Sequence, residues 1–354
     1  MSRFLSEQYR SLNAYTPGEQ PRDMQYIKLN TNESPYPPAP SVVAAMNGEQ
    51  VELLRLYSDP TAKELKEKLA SLYGVQPENV FVSNGSDEVL NFAFMAFCDK
   101  EHAIAFPDIT YGFYPVFARL NGIPYKEIPL NDKLEIDYRD YLSLGANIVI
   151  ANPNAPTGNA LPLWQIEEIV KSNLQNVVII DEAYVDFGAE SAVSLINKYD
   201  NLLVVGTFSK SRSLAGGRLG FGIGNRELIR DLSTIRYSTN PYNVNRMTQA
   251  AGAAALRDNG YYMENCKRII ENRKYTEWAL SELGFSVIPS SANFVFAKSD
   301  RIGGEELYLK LKQRGILIRH FSKDRIKDYN RITVGTREQM EALVDAISSV
   351  LSEK

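Results

Sequence analysis

Four short apolar runs, each broken at its carboxyl end by a cluster of polar residues, constrain this chain more than any other feature. They are Val80-Phe81-Val82, Ile148-Val149-Ile150-Ala151, Val177-Val178-Ile179-Ile180 and Leu202-Leu203-Val204-Val205. An unbroken apolar run of this length, without polar alternation, is the pattern of a strand covered on both faces, as in a parallel sheet with helices on either side. Helix-type periodicity resumes behind them, in the apolar stretch 89–97 and at Trp164, Ile166, Ile169 and Val170. Successive βα units of this kind place their polar strand ends on one edge. In open α/β sheets that carboxyl edge is where ligands bind.

The strand ends agree on a chemistry. Lys210 lies in Thr207-Phe208-Ser209-Lys210-Ser211-Arg212-Ser213-Leu214-Ala215-Gly216-Gly217-Arg218. An amine flanked by hydroxyls and followed by a glycine pair and an arginine suits a phosphorylated aldehyde. The hydroxyls, backbone N–H groups and Arg218 take the phosphate oxygens while the amine condenses with the carbonyl. Most lysines are solvated surface groups, so the other strand ends must support this reading. Asp181 opens Asp181-Glu182-Ala183-Tyr184. A carboxylate there keeps a pyridine nitrogen protonated, although an acid at a strand end also caps turns. In Ser83-Asn84-Gly85-Ser86-Asp87-Glu88, the glycine permits a tight turn and the following helix start offers free amides to an anion. Taken alone, Ser86 and Asp87 read equally well as a helix cap. Together the segments point to pyridoxal phosphate.

On these segments the chain resembles the fold-type I pyridoxal phosphate aminotransferases and, within them, the histidinol-phosphate aminotransferase family. The resemblance runs from Tyr15-Thr16-Pro17-Gly18 and Lys28-Leu29-Asn30-Thr31-Asn32-Glu33 to Arg331-Ile332-Thr333-Val334-Gly335-Thr336-Arg337. It implies that Lys210 forms the imine with the cofactor and then moves the substrate's Cα proton, in a ping-pong reaction with 2-oxoglutarate and glutamate as the second pair. It implies that Asp181 faces the pyridine nitrogen and that Tyr184 bonds the phenolic oxygen. Thr207, Ser209 and Arg218 hold the phosphate with the Gly85-Ser86-Asp87 turn, and Tyr111 stacks on the ring. Arg331 grips the acidic group of a phosphorylated amine, with Arg319, Tyr15 and Asn32 on the same side. Tyr57 matches a tyrosine that reaches the phosphate from a neighbouring subunit, which implies a homodimer. One position departs from the family's pattern: Ala155, in Asn152-Pro153-Asn154-Ala155-Pro156-Thr157-Gly158, stands where an asparagine usually bonds the phenolic oxygen. Asn154 and Asn152 are the candidates to take its place, and Tyr184 supplies a bond to the same oxygen.

Length and composition bound the rest. A chain of 354 residues is expected to form more than one domain. The organisation expected is an arm over 1–30, a large α/β domain with a mainly parallel sheet flanked by helices over 31–243, and a small α+β domain over 244–354. In the small domain, helices are expected over 244–256 and through Ile269, Tyr275, Trp278 and Leu280 to a stop at Gly284. Strands are expected at 285–288, 293–297 and 316–318, with a helix over 305–313. A formal net charge of -4 gives no general attraction to nucleic acid, and no basic helix-turn-helix segment precedes the fold. With two histidines and two cysteines without paired spacing, neither a metal site nor a disulfide framework is expected. No run reaches the ~20 apolar residues of a membrane span and no signal-peptide core opens the chain, so the cytoplasm is the expected compartment. The glycines of Gly216-Gly217-Arg218-Leu219-Gly220-Phe221-Gly222-Ile223-Gly224 do not fit the spacing of a nicotinamide-binding loop. Threonine-phosphate decarboxylases and aromatic amino-acid aminotransferases are the nearest rivals.

Overall fold

Successive side chains of a strand point to opposite faces, and here both faces find a core. Ile148, Ile150, Val178, Ile180, Leu202 and Val204 join one buried cluster, while Val149, Ile179, Leu203 and Val205 join another. That double burial explains why these strands read as continuous apolar runs. The structure is a computed structural model that describes residues 2–10, 12 and 15–353.

Strand β1 (Ile27–Lys28) belongs to the amino-terminal arm. The central sheet comprises β2 (Val80–Ser83), β3 (Ile104–Pro107), β4 (Tyr125–Ile128), β5 (Asn147–Ala151), β6 (Val178–Asp181), β7 (Leu202–Thr207) and β8 (Gly220–Gly224), in the spatial order β2-β8-β7-β6-β5-β3-β4. Only β8 runs against its neighbours; the other six point one way. Ser83, Ala151, Asp181 and Thr207 therefore end on a single edge, as the sequence predicts.

Strand β8 is absent from the sequence expectations because glycine is a poor strand former. Its glycines have a packing reason. A Cβ on Gly220 would lie 2.3 Å from the carbonyl carbon of Gly85 and the amide nitrogen of Ser86. The strand thus presses directly on the turn that opens the helix Ser86–Phe97.

The carboxyl-terminal part supplies β9 (Phe285–Ile288), β10 (Phe294–Ser299), β11 (Ile316–Leu317), β12 (Arg319–His320) and β13 (Tyr329–Thr333). Four of them form an antiparallel sheet in the order β12-β13-β10-β9, and β11 pairs in parallel with β1. Past β1, the Thr333 N–H donates to the Leu29 carbonyl at 2.9 Å, so the arm is tied to this smaller unit before it crosses to the large one. Beyond the boundary expected at 243–244, the chain joins the two cores in turn. The helix Arg246–Arg257 buries Ala251, Ala253, Ala254 and Ala255 in the large-domain core. Cys266, Ile269 and Leu280, on the next helix, Asn259–Glu282, join the small-domain core instead. Packing divides the chain along that second helix, because the alanine face is small enough to lie close against the large domain. Among the described residues no helix is long and apolar enough to cross a membrane.

Candidate active site

Two adjoining cavities, of about 360 and 520 Å³, open at the carboxyl edge of the central sheet and share Thr31, Tyr111, Ala155, Tyr184 and Lys210. Ser86, Asp87, Asp181, Thr207, Ser209 and Arg218 line the first. Tyr15, Asn32, Arg319, Phe321 and Arg331 line the second. Lys210 stands where they join.

Asp181 is buried at the end of β6. Burial pushes its carboxyl up to about 6, against the pull of the Tyr114 hydroxyl, which donates at 2.9 Å, and of the Ala183 N–H, which donates at 3.2 Å. A positive group facing this carboxyl would restore its charge. The Lys210 amine is pushed down to about 8 by burial and by the nearby Arg331 guanidinium, and it donates to the Thr31 carbonyl at 3.0 Å. A reactive, partly neutral amine at physiological pH is what carbonyl condensation and proton transfer require.

The first cavity ends in an anion cup. Gly85 adopts φ +82°, and a Cβ there would meet the Arg218 guanidinium at 2.6 Å. Glycine lets the turn and the arginine converge. The first N–H groups of a helix have no partner within it; Ser86 and Asp87, which open the helix Ser86–Phe97, line the same cavity as Ser209, whose hydroxyl receives the Thr207 hydroxyl at 3.0 Å. The Asp87 carboxylate takes the Tyr111 hydroxyl at 2.7 Å and an Arg218 N–H at 3.2 Å. Its side chain therefore aligns Tyr111 and Arg218, while its amide is the part that suits an anion.

The second cavity carries the arginine pair. Arg319 and Arg331 sit directly opposite each other on β12 and β13, and both guanidinium groups lie 5.7 Å from the Phe321 ring. Like charges in that relation destabilise a sheet. An anion bound between them removes the conflict. Arg331 donates to the Asn30 carbonyl at 3.1 Å, but its buried Nε has no partner.

Several sequence candidates lie elsewhere. Asn154 lines neither cavity: its Nδ2 donates to the Ile109 carbonyl and to Thr157, and its Oδ1 accepts from Thr110. Asn152 spends its amide on Leu161 in both directions. Both asparagines hold the loop, and Ala155 is the residue that faces the cavities. Tyr57 lines neither; it is 78 % exposed and stacks on Tyr242 at 4.3 Å. Sequence reasoning missed Tyr114. It sits in an aromatic-rich stretch that reads as core filler, and no local pattern marks its bond to Asp181.

Comparison with known proteins agrees with this geometry. The family described as aminotransferase class I and II matches residues 24–347. A histidinol-phosphate aminotransferase of Brachyspira hyodysenteriae is 51 % identical over 352 residues, covering 99 % of each chain. That of a Marinomonas species is 52 % identical over 353 residues, covering 99 % of this chain and 100 % of the other. Among solved structures, a histidinol-phosphate aminotransferase from Sinorhizobium meliloti in complex with pyridoxal-5'-phosphate superposes with a TM-score of 0.89 at 24 % identity, covering 100 % of this chain and 99 % of the other.

Proposed function

Given that this chain belongs to the class I and II aminotransferases, we propose that it uses pyridoxal phosphate to transfer the amino group of histidinol phosphate to 2-oxoglutarate. The relatives at 51 and 52 % identity over nearly its whole length are the observation that carries the substrate. The cofactor fits the residues present. Gly220 and Gly85 let β8, the Gly85–Ser86 turn and Arg218 converge with no Cβ between them, helix amides and Arg218 suit a phosphate, and the buried Asp181 carboxyl lines the same cavity. When bound, the cofactor draws off the charge left at the substrate's Cα.

The chain's own residues do the rest. Ser86, Asp87, Ser209, Thr207 and Arg218 bind the phosphate, and Tyr111 covers the ring. Asp181, kept in place by Tyr114, holds a proton on the ring nitrogen. Lys210 would anchor the cofactor and, as a free amine, would move the proton at the substrate's Cα. Arg331 and Arg319 bind the phosphate monoester of one substrate and a carboxylate of the other in turn, since a guanidinium fork matches both. Tyr15, which lines the same cavity, stands beside them for the substrate.

The exposed Leu54, Leu56 and Tyr57, with Tyr242 stacked alongside, support a homodimer in which Tyr57 serves the neighbouring subunit's phosphate cup. The unpaired, buried Cys98 and Cys266 support the cytoplasm as the compartment. Histidinol phosphate, phenylalanine and threonine phosphate, each offered with and without 2-oxoglutarate, test the proposal. Turnover is expected with histidinol phosphate and only when the oxo acid is present. Failure of that donor while another turns over overturns the substrate. Carbon dioxide release from threonine phosphate without the oxo acid would indicate a decarboxylase.

A further inference from the structure

Asn32 lies far from Tyr184 in sequence and beside it in space. It is buried and adopts φ +56°, in the left-handed region. Its Nδ2 donates to the Tyr184 hydroxyl at 3.0 Å. Its Oδ1 accepts the Thr333 hydroxyl at 3.0 Å, and its backbone N–H donates back to the same Thr333 oxygen at 2.9 Å. Asn293 donates to its carbonyl at 3.0 Å. Each polar group of Asn32 thus has a partner, and the direction of each bond is set. Thr333 fixes which way the amide faces, and the amide fixes what Tyr184 does. Because the Tyr184 oxygen accepts from Asn32, its proton is left for a third group. Beside it, Ala155 and Phe294 form an apolar wall that offers no donor.

We infer that Asn32 is a positioning residue that turns the Tyr184 hydroxyl proton into the cavity, making Tyr184 the donor to an anionic ligand oxygen on the Ala155 side. The inference rests on the proposed cofactor, whose phenolic oxygen is the acceptor. It departs from the placing of Asn32 among substrate-binding residues: the side chain acts through Tyr184. A purely structural account makes Asn32 a residue chosen for its left-handed backbone, which asparagine tolerates well. Aspartate tolerates it too, but its carboxylate only accepts hydrogen bonds. Asn32→Asp keeps the shape and reverses the bond, pulling the Tyr184 proton toward residue 32.

A pH titration of the visible absorption of the holoenzyme separates the two accounts. When the Lys210-bound cofactor loses its proton, the phenolic oxygen carries the full negative charge, so a donor there lowers the midpoint and loss of the donor raises it. Tyr184→Phe is expected to raise the midpoint by about one pH unit, the size of one hydrogen bond to a charged oxygen. Asn32→Asp should raise it comparably. Adding Ala155→Asn to Asn32→Asp, which restores a donor from the other wall, should bring it back toward the wild-type value. Thr333→Val, which frees the Asn32 amide to rotate without changing side-chain size, should move the midpoint the same way by less, and it serves if the aspartate variant does not fold. A wild-type midpoint in Asn32→Asp, or in Thr333→Val if that variant must stand in, alongside a shifted one in Tyr184→Phe overturns the inference and leaves the cofactor proposal standing. A wild-type protein that takes on no visible band with pyridoxal phosphate sinks both.

Discussion

Lys210, where the two cavities join, is held there at a cost to the stability of the fold. Burial and the neighbouring Arg331 lower the Lys210 amine to about 8, whereas an unfolded lysine titrates near ~10.4. The folded state therefore disfavours the ammonium form. The resulting destabilisation is complete below pH 8, fades as pH rises, and is absent above the unfolded value. Lys210→Met should accordingly stabilise the cofactor-free protein at pH 7 by on the order of 1–2 kcal/mol, read as a higher melting temperature, since the amine faces an open cavity and the full shift overstates the cost. The gain should shrink between pH 8 and 10, and a gain that does not vary with pH would refute the account. Arg331 gives the second prediction at this scale. If both substrates' anions use it, Arg331→Ala should lower kcat/KM of each half-reaction by about 10²–10³-fold, the loss of one or two charge-assisted bonds. Single-turnover measurements with each substrate decide it, and damage to one half-reaction alone refutes sharing. The place of Lys210 and Asp181 at the carboxyl edge of the sheet was legible in the sequence because each follows an apolar run. Tyr114 and the Asn32–Tyr184 bond were not: their meaning comes from contacts between residues 67 and 152 positions apart.

At the scale of elements, the legible parts are those whose sequence pattern has one physical cause. Strands β5, β6 and β7 read correctly because burial on both faces leaves an apolar run, and the helix Leu163–Ser172 because one apolar face leaves a 3.6-residue period. Strand β8 was hidden because its alternate glycines serve a contact rather than a strand. The domain division was hidden because an alanine-rich helix carries no mark of which core it joins. The role of β8 is testable. Gly220 does not have the positive φ that would exclude a side chain, so alanine fits the strand itself; the clash is with the Gly85–Ser86 peptide. Gly220→Ala should push that turn out of line and weaken pyridoxal phosphate binding by about 10- to 100-fold, at the cost of one or two anion-binding hydrogen bonds. Far-ultraviolet circular dichroism should stay near wild type. Unchanged cofactor affinity, measured by titrating the cofactor-free protein, would show that the contact is mere packing.

For the whole molecule the question is whether one chain makes a complete site. The cavities hold a lysine, a buried carboxyl, an anion cup and an arginine pair from a single chain, yet Tyr57 lines neither and has most of its surface exposed. Arg246 holds its carbonyl at 2.9 Å and Tyr242 supports its ring. An aromatic side chain braced in that manner at the surface is arranged to meet something. In a two-fold dimer whatever one copy gives it also receives. Mixed dimers test this. Lys210→Ala is expected to abolish proton transfer and Tyr57→Ala to weaken the cup it serves, so each protein by itself should be inactive or slow. If Tyr57 serves the partner, a mixed dimer of the two variants contains one site with both defects and one with neither. Random reassortment makes about half of the dimers mixed, so activity should recover to about one quarter of wild type. If Tyr57 acts within its own chain, each site in the mixed dimer keeps one defect, and unfolding and refolding the two variants together should give no recovery.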